Sequence, residues 1–307
     1  MIDYLVGVDG GGTGTRVRLA RRDGGALAQG HGGPSGLAHG IAAAWRAIDS
    51  AIDMAFASAA LARPGPGAIA IGLGLAGVHN LQWAREFAEA APDYAALALE
   101  HDGYTTLLGA HQGSPGVIVA IGTGSVGGAL LADGSTREVG GWGFPAGDEA
   151  SGGWIGLRAI SHLEQVFDGR AAGSVFAQEL TAFCGGERHA IQAWLASATQ
   201  TTYAALAPIV VAHAPTDASA QAILAAAGRE VASMACALDP SGTLPLALCG
   251  GLGEPLRAWL PGELQARTVT PCGDAASGSL RMIATHLALR EAASEQPEPS
   301  PAPGKRT

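Results

Sequence analysis

The sequence has few of the residues that mark several large protein classes. Charged residues make up 15% and aromatic residues 5% of its 307 positions, and the 18 basic residues are outnumbered by 27 acidic ones. The formal net charge of −9 argues against a nucleic-acid surface, which needs clustered basic residues. A nucleotide ligand is still compatible with this charge, because backbone amides and a metal ion can bind phosphates.

Cysteine is also scarce. The four cysteines form no CxxC pair, and no histidines stand at zinc-ligand spacing, so we expect reduced thiols in the core or near the surface. The N-terminus lacks the basic start of a signal peptide, and no apolar run is long enough to cross a membrane. The sequence therefore predicts a cytoplasmic protein without a membrane or nucleic-acid partner.

Hydrophobic residues and glycine are abundant, at 48% of the chain and 46 residues. The glycines gather in short clusters beside apolar runs, which is typical of backbone that approaches a ligand closely. A strand, a Gly/Thr turn and a returning strand occur near residue 9 and again near residue 122, and such a repeat predicts two similar halves. Apolar residues that recur every three or four positions predict an amphipathic helix from Ile41 to Ala59. The chain after residue 150 is predicted to be mostly helical, including 188–213 with a break and a last helix at 275–290, and to end in a disordered tail from 291.

The first glycine cluster, GVDGGGTGTR, occupies residues 7–16. It places the Asp9 carboxylate at the end of a buried strand, and its glycines let backbone amides converge on an anion. A Walker A loop needs a lysine that is missing here, and a dinucleotide fingerprint needs a following helix where this pattern predicts a hairpin. A glycine-rich β-turn with a surface aspartate remains the alternative.

The second cluster, AIGTGSVGG at residues 120–128, is by itself typical of an ordinary hairpin. Paired with the first, it favours two loops of small donors that bind the β- and γ-phosphates for phosphoryl transfer.

A carboxylate follows the predicted strand 95–100. Asp102 could accept a proton from a substrate hydroxyl, or it could cap a helix, and its position favours neither. The neighbouring His101 is expected on the opposite face of the strand and is assigned no role.

Two further clusters combine glycine with other site residues. GGWGFPAGDEASGGWIG, at 140–156, contains Asp148 and Glu149 before a predicted helix. The helix dipole explains the carboxylates but not the glycines and tryptophans, so a sugar site is plausible. PLALCGGLGEPL, at 245–256, either holds a nucleotide base or ribose against bare backbone or forms an ordinary βα turn.

These four clusters, in this order, resemble the BadF/BadG/BcrA/BcrD ATPase family and, within it, the glucosamine and N-acetylglucosamine kinases. The resemblance extends from about residue 5 to about residue 286. It implies an α/β fold with two ribonuclease-H-like (actin-like ATPase) domains around a central cleft. One domain would comprise residues 1–112 with helix 275–290 packing back onto it, and the other residues 113–274 with a helical insertion.

The resemblance also implies ATP and Mg²⁺ as cofactors, an amino sugar as substrate and a homodimer. Asp102 corresponds to the catalytic base that activates the sugar 6-hydroxyl, and Asp9 to the carboxylate near the magnesium, through water. The implied ATP contacts are Asp9, Gly10, Gly11, Gly12, Thr13, Thr15, Thr123, Gly250 and Gly251. The implied sugar contacts are Gly124, Gly140, Gly141, Asp148 and Gly152.

Three positions depart from the family pattern. Gly36 lies in the loop that often carries a sugar-contacting asparagine, Ala76 replaces a serine of the N-acetylglucosamine kinases, and Ala150 replaces a glycine. Because a lost polar contact can separate similar substrates by orders of magnitude, these departures leave the choice between the free amine and the N-acetyl sugar open.

Three alternatives differ in function. An activator of 2-hydroxyacyl-CoA dehydratases shares the phosphate loops but needs cysteines from two subunits around one Fe–S cluster. A ROK-type sugar kinase needs a Cys-rich zinc loop, which is absent here. A regulator would bind ATP and sugar without turnover.

Overall fold

The protein, described here by a computed structural model over residues 2–294, contains two β-sheets covered by helices. Ten strands and twelve α-helices follow one another in the described part of the chain. The strands are β1 (Tyr4–Gly10), β2 (Thr15–Arg21), β3 (Ala26–Gly32), β4 (Ile69–Leu75), β5 (Ala96–Glu100), β6 (Gly116–Ile121), β7 (Ser125–Leu130), β8 (Thr136–Gly140), β9 (Leu246–Cys249) and β10 (Thr268–Val269). The helices are α1 (Ile41–Ser58), α2 (Leu81–Glu89), α3 (Asp102–His111), α4 (Gly152–Phe167), α5 (Val175–Phe183), α6 (Arg188–Ser197), α7 (Gln200–Ala204), α8 (Ala207–His213), α9 (Ala218–Leu238), α10 (Gly253–Arg257), α11 (Gly262–Arg267) and α12 (Ala275–Ser294).

The two sheets share one arrangement. The first has the order β3-β2-β1-β4-β5 and the second the order β10-β9-β6-β7-β8. β1 of the first sheet pairs antiparallel with β2 and parallel with β4. β6 of the second sheet likewise pairs antiparallel with β7 and parallel with β9. The predicted repeat is therefore present, and the predicted fold class, α/β with two ribonuclease-H-like domains, is confirmed.

The chain divides into two compact units. One unit contains the residues up to Thr105 together with those from Ala275, and the other contains Thr106–Asp274. The division lies inside α3, whereas the sequence predicted a boundary after residue 112. In the described part of the chain, no helix is both long enough and apolar enough to cross a lipid bilayer.

One face of the first sheet is covered by α1. Its residues Ile48, Ile52 and Phe56 recur at helical spacing and are fully or almost fully buried, as the apolar periodicity predicted. Trp45 of the same helix stacks on Phe87 of α2 with the ring centroids 4.3 Å apart, and its indole N–H donates to the Phe87 carbonyl.

The other face of this sheet is covered by α12. A Cβ atom at Gly72 would lie 2.1 Å from the Ser279 carbonyl oxygen, and one at Gly7 would lie 2.3 Å from that of Ala276. The Ser279 hydroxyl donates to the Val8 carbonyl at 2.7 Å. Glycine in the central strands thus lets the helix backbone approach the sheet backbone directly.

The end of α12 corrects one prediction. The helix continues through Ser294, so residues 291–294 are helical and were wrongly predicted to begin a disordered tail. The remaining tail, 295–307, lies outside the described residues.

The second unit carries the helical insertion. The segment 188–213, predicted as a helix with one break, forms the three helices α6, α7 and α8. Thr199 starts α7 with a capping box, in which its side chain accepts from the Thr202 N–H while the Thr202 hydroxyl accepts from the Thr199 N–H. Pro208 lies in the first turn of α8, where its missing N–H is not needed.

The contact between Gly72 and α12 gives a stability prediction. Gly72→Ala should lower the free energy of unfolding by about 2–4 kcal/mol, because the added methyl group overlaps the Ser279 carbonyl. The urea midpoint should fall with it. Urea unfolding followed by far-UV circular dichroism measures this. Gly67→Ala is the matched control, since a Cβ atom there has no neighbour within 4 Å. Equal midpoints for the two variants would contradict the described packing.

Candidate active site

The first glycine loop joins the carboxyl end of β1 to the start of β2. The Gly11 N–H donates to the Gly14 carbonyl, and the Gly11 carbonyl accepts from the N–H groups of Ser35 and Gly36. Thr13 and Gly12 are exposed at its tip. Residues 35–36 thus hold the loop in place while Gly12 and Thr13 at its tip remain exposed, as an anion-binding loop requires.

Asp9 forms an ion pair at the end of β1. Its Oδ2 accepts from Arg16 Nε at 2.9 Å and from Arg16 Nη2 at 2.6 Å. Asp9 and Arg16 face each other directly in the β1–β2 register. The Asp9 side chain is 14% exposed and that of Arg16 is 58% exposed, so the carboxylate remains reachable from solvent beside a cation.

Thr15 differs from Thr13 and Thr123, the other two threonines predicted to bind phosphate, because it is buried. Its hydroxyl lies 2.6 Å from the Gly33 carbonyl oxygen and 2.7 Å from the Ser35 hydroxyl. Ser35 is itself fully buried. Thr15 therefore ties the loop to residues 33–35, while Thr13 presents the exposed hydroxyl of this motif.

Two of the departures from the family pattern lie against this loop. A Cβ atom at Gly36 would lie 3.3–3.5 Å from backbone atoms of Gly11 and Gly12. The Ala76 N–H donates to the Gly10 carbonyl, so Ala76 adjoins the same turn. Glycine at position 36 thus lets the two loops pack tightly, and the methyl group of Ala76 offers no hydrogen bond to a ligand.

Asp102 is the first residue of α3, two residues after β5 ends. Its carboxylate accepts from the Gly103 N–H at 3.0 Å. Burial raises the pKa of this carboxyl, while the Gly103 N–H and the His101 and His79 imidazoles act in the opposite direction. A partly buried carboxylate with a raised pKa at the carboxyl end of a strand has the properties of a general base.

His101 has a role that the sequence argument missed. Its Nδ1 accepts from the Tyr104 N–H at 3.2 Å, so His101 caps the helix that Asp102 begins. Its ring lies 4.5 Å, centroid to centroid, from that of His79. The predicted position on the opposite strand face is wrong because β5 ends at Glu100, and strand alternation does not extend to His101.

The strand register brings Asp9 and the start of α3 to the same end of the first sheet, where β1, β4 and β5 end. Asp9 pairs with Gly74, and Gly74 pairs with Glu100. A Cβ atom at Gly74 would lie 2.0 Å from the Thr105 hydroxyl, so the first turn of α3 packs directly on β4. The carboxyl ends of β1, β4 and β5 therefore align, which is where ligands bind in α/β folds.

The second turn packs on the start of α4. The Gly122 carbonyl accepts from the Gly152 N–H at 2.8 Å, and the Thr123 carbonyl accepts from the Gly153 N–H at 3.1 Å. The helix is capped by Ser151, whose hydroxyl accepts from the Trp154 N–H. The predicted dipole role of Asp148 and Glu149 is thus not needed to start the helix.

Asp148 lies within this same group of residues. It is 6% exposed and has a left-handed backbone with a φ of 58°. A Cβ atom at Gly124 would lie 2.9 Å from Asp148 Oδ2. Gln200 of α7, which the sequence did not indicate, donates from Nε2 to Asp148 Oδ2 at 2.6 Å. Ala150, the third departure, is fully buried and left-handed with a φ of 66°.

The remaining predicted residues flank this group. The Gly141 N–H donates to the Ser125 carbonyl, which puts Gly140 and Gly141 beside the start of β7. Gly250 is left-handed, and a Cβ atom there would lie 2.3 Å from the Ile121 carbonyl oxygen at the end of β6. A Cβ atom at Gly251 would have no neighbour within 4 Å.

Burial raises the pKa of the Cys249 thiol, next to Gly250, to about 12, so this thiol is not a nucleophile at neutral pH.

Comparison with known proteins gives three close relatives. The glucosamine kinase GspK of Vibrio cholerae is 30% identical over 280 residues, covering 91% of this chain and 95% of that protein. The N-acetylmuramic acid/N-acetylglucosamine kinase of Clostridium acetobutylicum is 25% identical over 189 residues, 61% of each chain. A solved structure from Chromobacterium violaceum, of a protein proposed to be an N-acetylglucosamine kinase, is 52% identical with a TM-score of 0.90 and covers 92% of this chain and 99% of that chain.

The family profile of the BadF/BadG/BcrA/BcrD ATPases matches residues 6–252, a range that contains both glycine loops, Asp102, Asp148 and the Gly250-Gly251 turn. The chain belongs to the BadF/BadG/BcrA/BcrD ATPase family.

Proposed function

We propose that this chain is an ATP-dependent hexosamine kinase that phosphorylates the 6-hydroxyl of glucosamine or N-acetylglucosamine. The observation that carries the reaction is the partly buried Asp102 carboxylate, whose pKa is raised, at the carboxyl end of β5. The similarity to the glucosamine kinase GspK over nearly the whole chain supports the class of substrate.

The two glycine turns are the proposed phosphate ligands, and Asp9 is proposed to contact ATP through Mg²⁺. Gly12 and Thr13 present exposed backbone and a hydroxyl at the tip of the first turn, which Gly10 and Gly11 shape, while Thr123 adds a hydroxyl from the second turn. Thr15 acts through the loop that it ties down. The carboxylate oxygens of Asp9 suit Mg²⁺, and the partial exposure of Asp9 is compatible with a contact through water.

Mg²⁺, when bound, supplies positive charge to the phosphate oxygens of ATP. Arg16 holds the Asp9 carboxylate in place for this ion. Gly250 and Gly251 are the proposed adenosine contacts, because the bare backbone at Gly251 leaves room for a flat ring.

The sugar is proposed to bind at Gly124, Gly140, Gly141, Asp148 and Gly152. Asp148 accepts a hydrogen bond from a sugar hydroxyl, and the glycines let the ring approach the backbone. Asp102 removes the proton from the 6-hydroxyl as its oxygen attacks the γ-phosphate, and the capping His101 fixes the helix turn that carries this carboxylate.

The class of substrate is tested by an ADP-release assay with glucosamine, N-acetylglucosamine, glucose and N-acetylmannosamine. We expect ADP release that depends on one or both of the first two sugars, with ³¹P NMR identifying a 6-phosphate. ADP release without any sugar would instead indicate an activator-type ATPase. Binding of sugar and ATP without turnover would indicate a regulator.

The role of Asp102 is tested by Asp102→Asn. The amide cannot accept the proton, so kcat should fall roughly 10²- to 10⁴-fold while sugar affinity, measured by calorimetry, is retained. Glu100→Gln is the matched control, because it neutralises an exposed carboxylate at the end of the same strand. Near-normal kcat in Asp102→Asn would show that another group takes the proton.

The raised pKa of Asp102 gives a pH prediction. The base acts only when deprotonated, so kcat/KM should fall as the pH drops through its pKa. Because burial raises this pKa, the acid limb should lie above the value of about 3.9 expected for an ordinary aspartate. A pH–rate profile from pH 4 to 8 measures this, and a limb at or below 3.9 would contradict it.

A further inference from the structure

Gln200 is the first residue of α7, and its side chain joins the second turn to the sugar segment. Its Nε2 donates to Asp148 Oδ2 at 2.6 Å and to the Thr123 carbonyl oxygen at 3.2 Å. Both partners are acceptors, and the amide nitrogen has two hydrogens, so these contacts use its full donor capacity.

The position of Gln200 is fixed by the packing of α7 on the start of α4. A Cβ atom at Gly153 would lie 2.9 Å from Gln200 Cγ, and one at Gly156 would lie 1.9 Å from the Tyr203 carbonyl oxygen. The Thr199 capping box fixes where α7 begins. This short helix therefore has one register on α4, and that register directs the Gln200 amide toward Asp148.

Asp148 needs such a partner because its carboxylate is buried. Its backbone is left-handed, a conformation that aspartate adopts more often than most other non-glycine residues. The hydrogen bond from Gln200 engages Oδ2 and so sets the direction in which Oδ1 presents its lone pairs. A neutral amide donor satisfies one oxygen without neutralising the charge.

We propose that Gln200 is a positioning residue for the sugar, one that orients the Asp148 carboxylate to accept a hydrogen bond from a sugar hydroxyl. This inference rests on the proposed function, because the sugar contact of Asp148 is part of it. Gln200, which lies in the helical insertion, then affects sugar binding without contacting the sugar, because it acts through Asp148.

The test uses Gln200→Glu, which keeps the length of the side chain. At pH 8 its carboxylate faces that of Asp148 and repels it, whereas the protonated acid at lower pH can donate the same hydrogen bond. Two carboxylates that share a site have one strongly raised pKa. The KM for the sugar should therefore rise roughly 10- to 100-fold over wild type at pH 8 and recover toward wild type near pH 5.5.

Two readouts distinguish positioning from general damage. The KM for ATP should change less than the KM for the sugar, because Gln200 contacts the carbonyl of Thr123 and not its hydroxyl, and the ratio of variant to wild-type sugar KM should fall with decreasing pH. Gln200→Met, of similar length but without a donor, should raise the sugar KM at every pH and show no recovery. Gln192→Glu, the same change at an exposed position of α6, should leave both KM values unchanged.

An unchanged sugar KM in Gln200→Glu at pH 8 would overturn the proposal, as would a rise that persists at pH 5.5. If Gln200→Glu does not fold at pH 8, an unchanged sugar KM in Gln200→Met would overturn it equally. Wild-type protein that turns over no sugar would refute the proposed function instead, so the two failures are separable.

Discussion

The structure depends on close approaches of backbone to backbone that only glycine allows. In the first unit, α12 lies directly on β1 and β4 because Gly7 and Gly72 have no Cβ atoms. In the second unit, Gly156 gives α7 the same access to α4. At these contacts the backbones lie closer together than they could with a side chain between them. A larger residue in place of the glycine would push α12 away from the sheet, or α7 away from α4. The high glycine content therefore serves packing as much as ligand binding.

The first unit uses this packing to keep a carboxylate in a poised state. The Asp102 side chain is subject to two opposed effects, because burial disfavours its charged form while the N-terminus of α3 and the nearby imidazoles favour it. A carboxylate whose pKa is raised in this way is a stronger base than an ordinary aspartate. The register of β1, β4 and β5 brings Asp9 and this helix start to the same sheet edge.

The sequence predicted the regular elements better than the connections between them. The period of α1 and the two Gly/Thr hairpins were recognisable, because buried faces repeat along the chain and turns need small residues. Gln200 was not recognisable, since it belongs to no motif and the short α7 merged into one long helical pattern. His101 was misplaced because strand alternation was extended past Glu100. Gln200 acts through a tertiary contact that local patterns do not encode, whereas His101 caps its own helix through a local contact that the strand pattern concealed.

In the proposed reaction, the Asp102 carboxylate receives the proton of the sugar hydroxyl. The most direct measurement is a crystal structure with the amino sugar and a non-hydrolysable ATP analogue bound. We predict an Asp102 carboxylate oxygen within about 2.6–3.2 Å of the sugar 6-hydroxyl, the reach of a general base. A bound sugar whose oxygens all lie beyond hydrogen-bond distance of Asp102 would contradict the account.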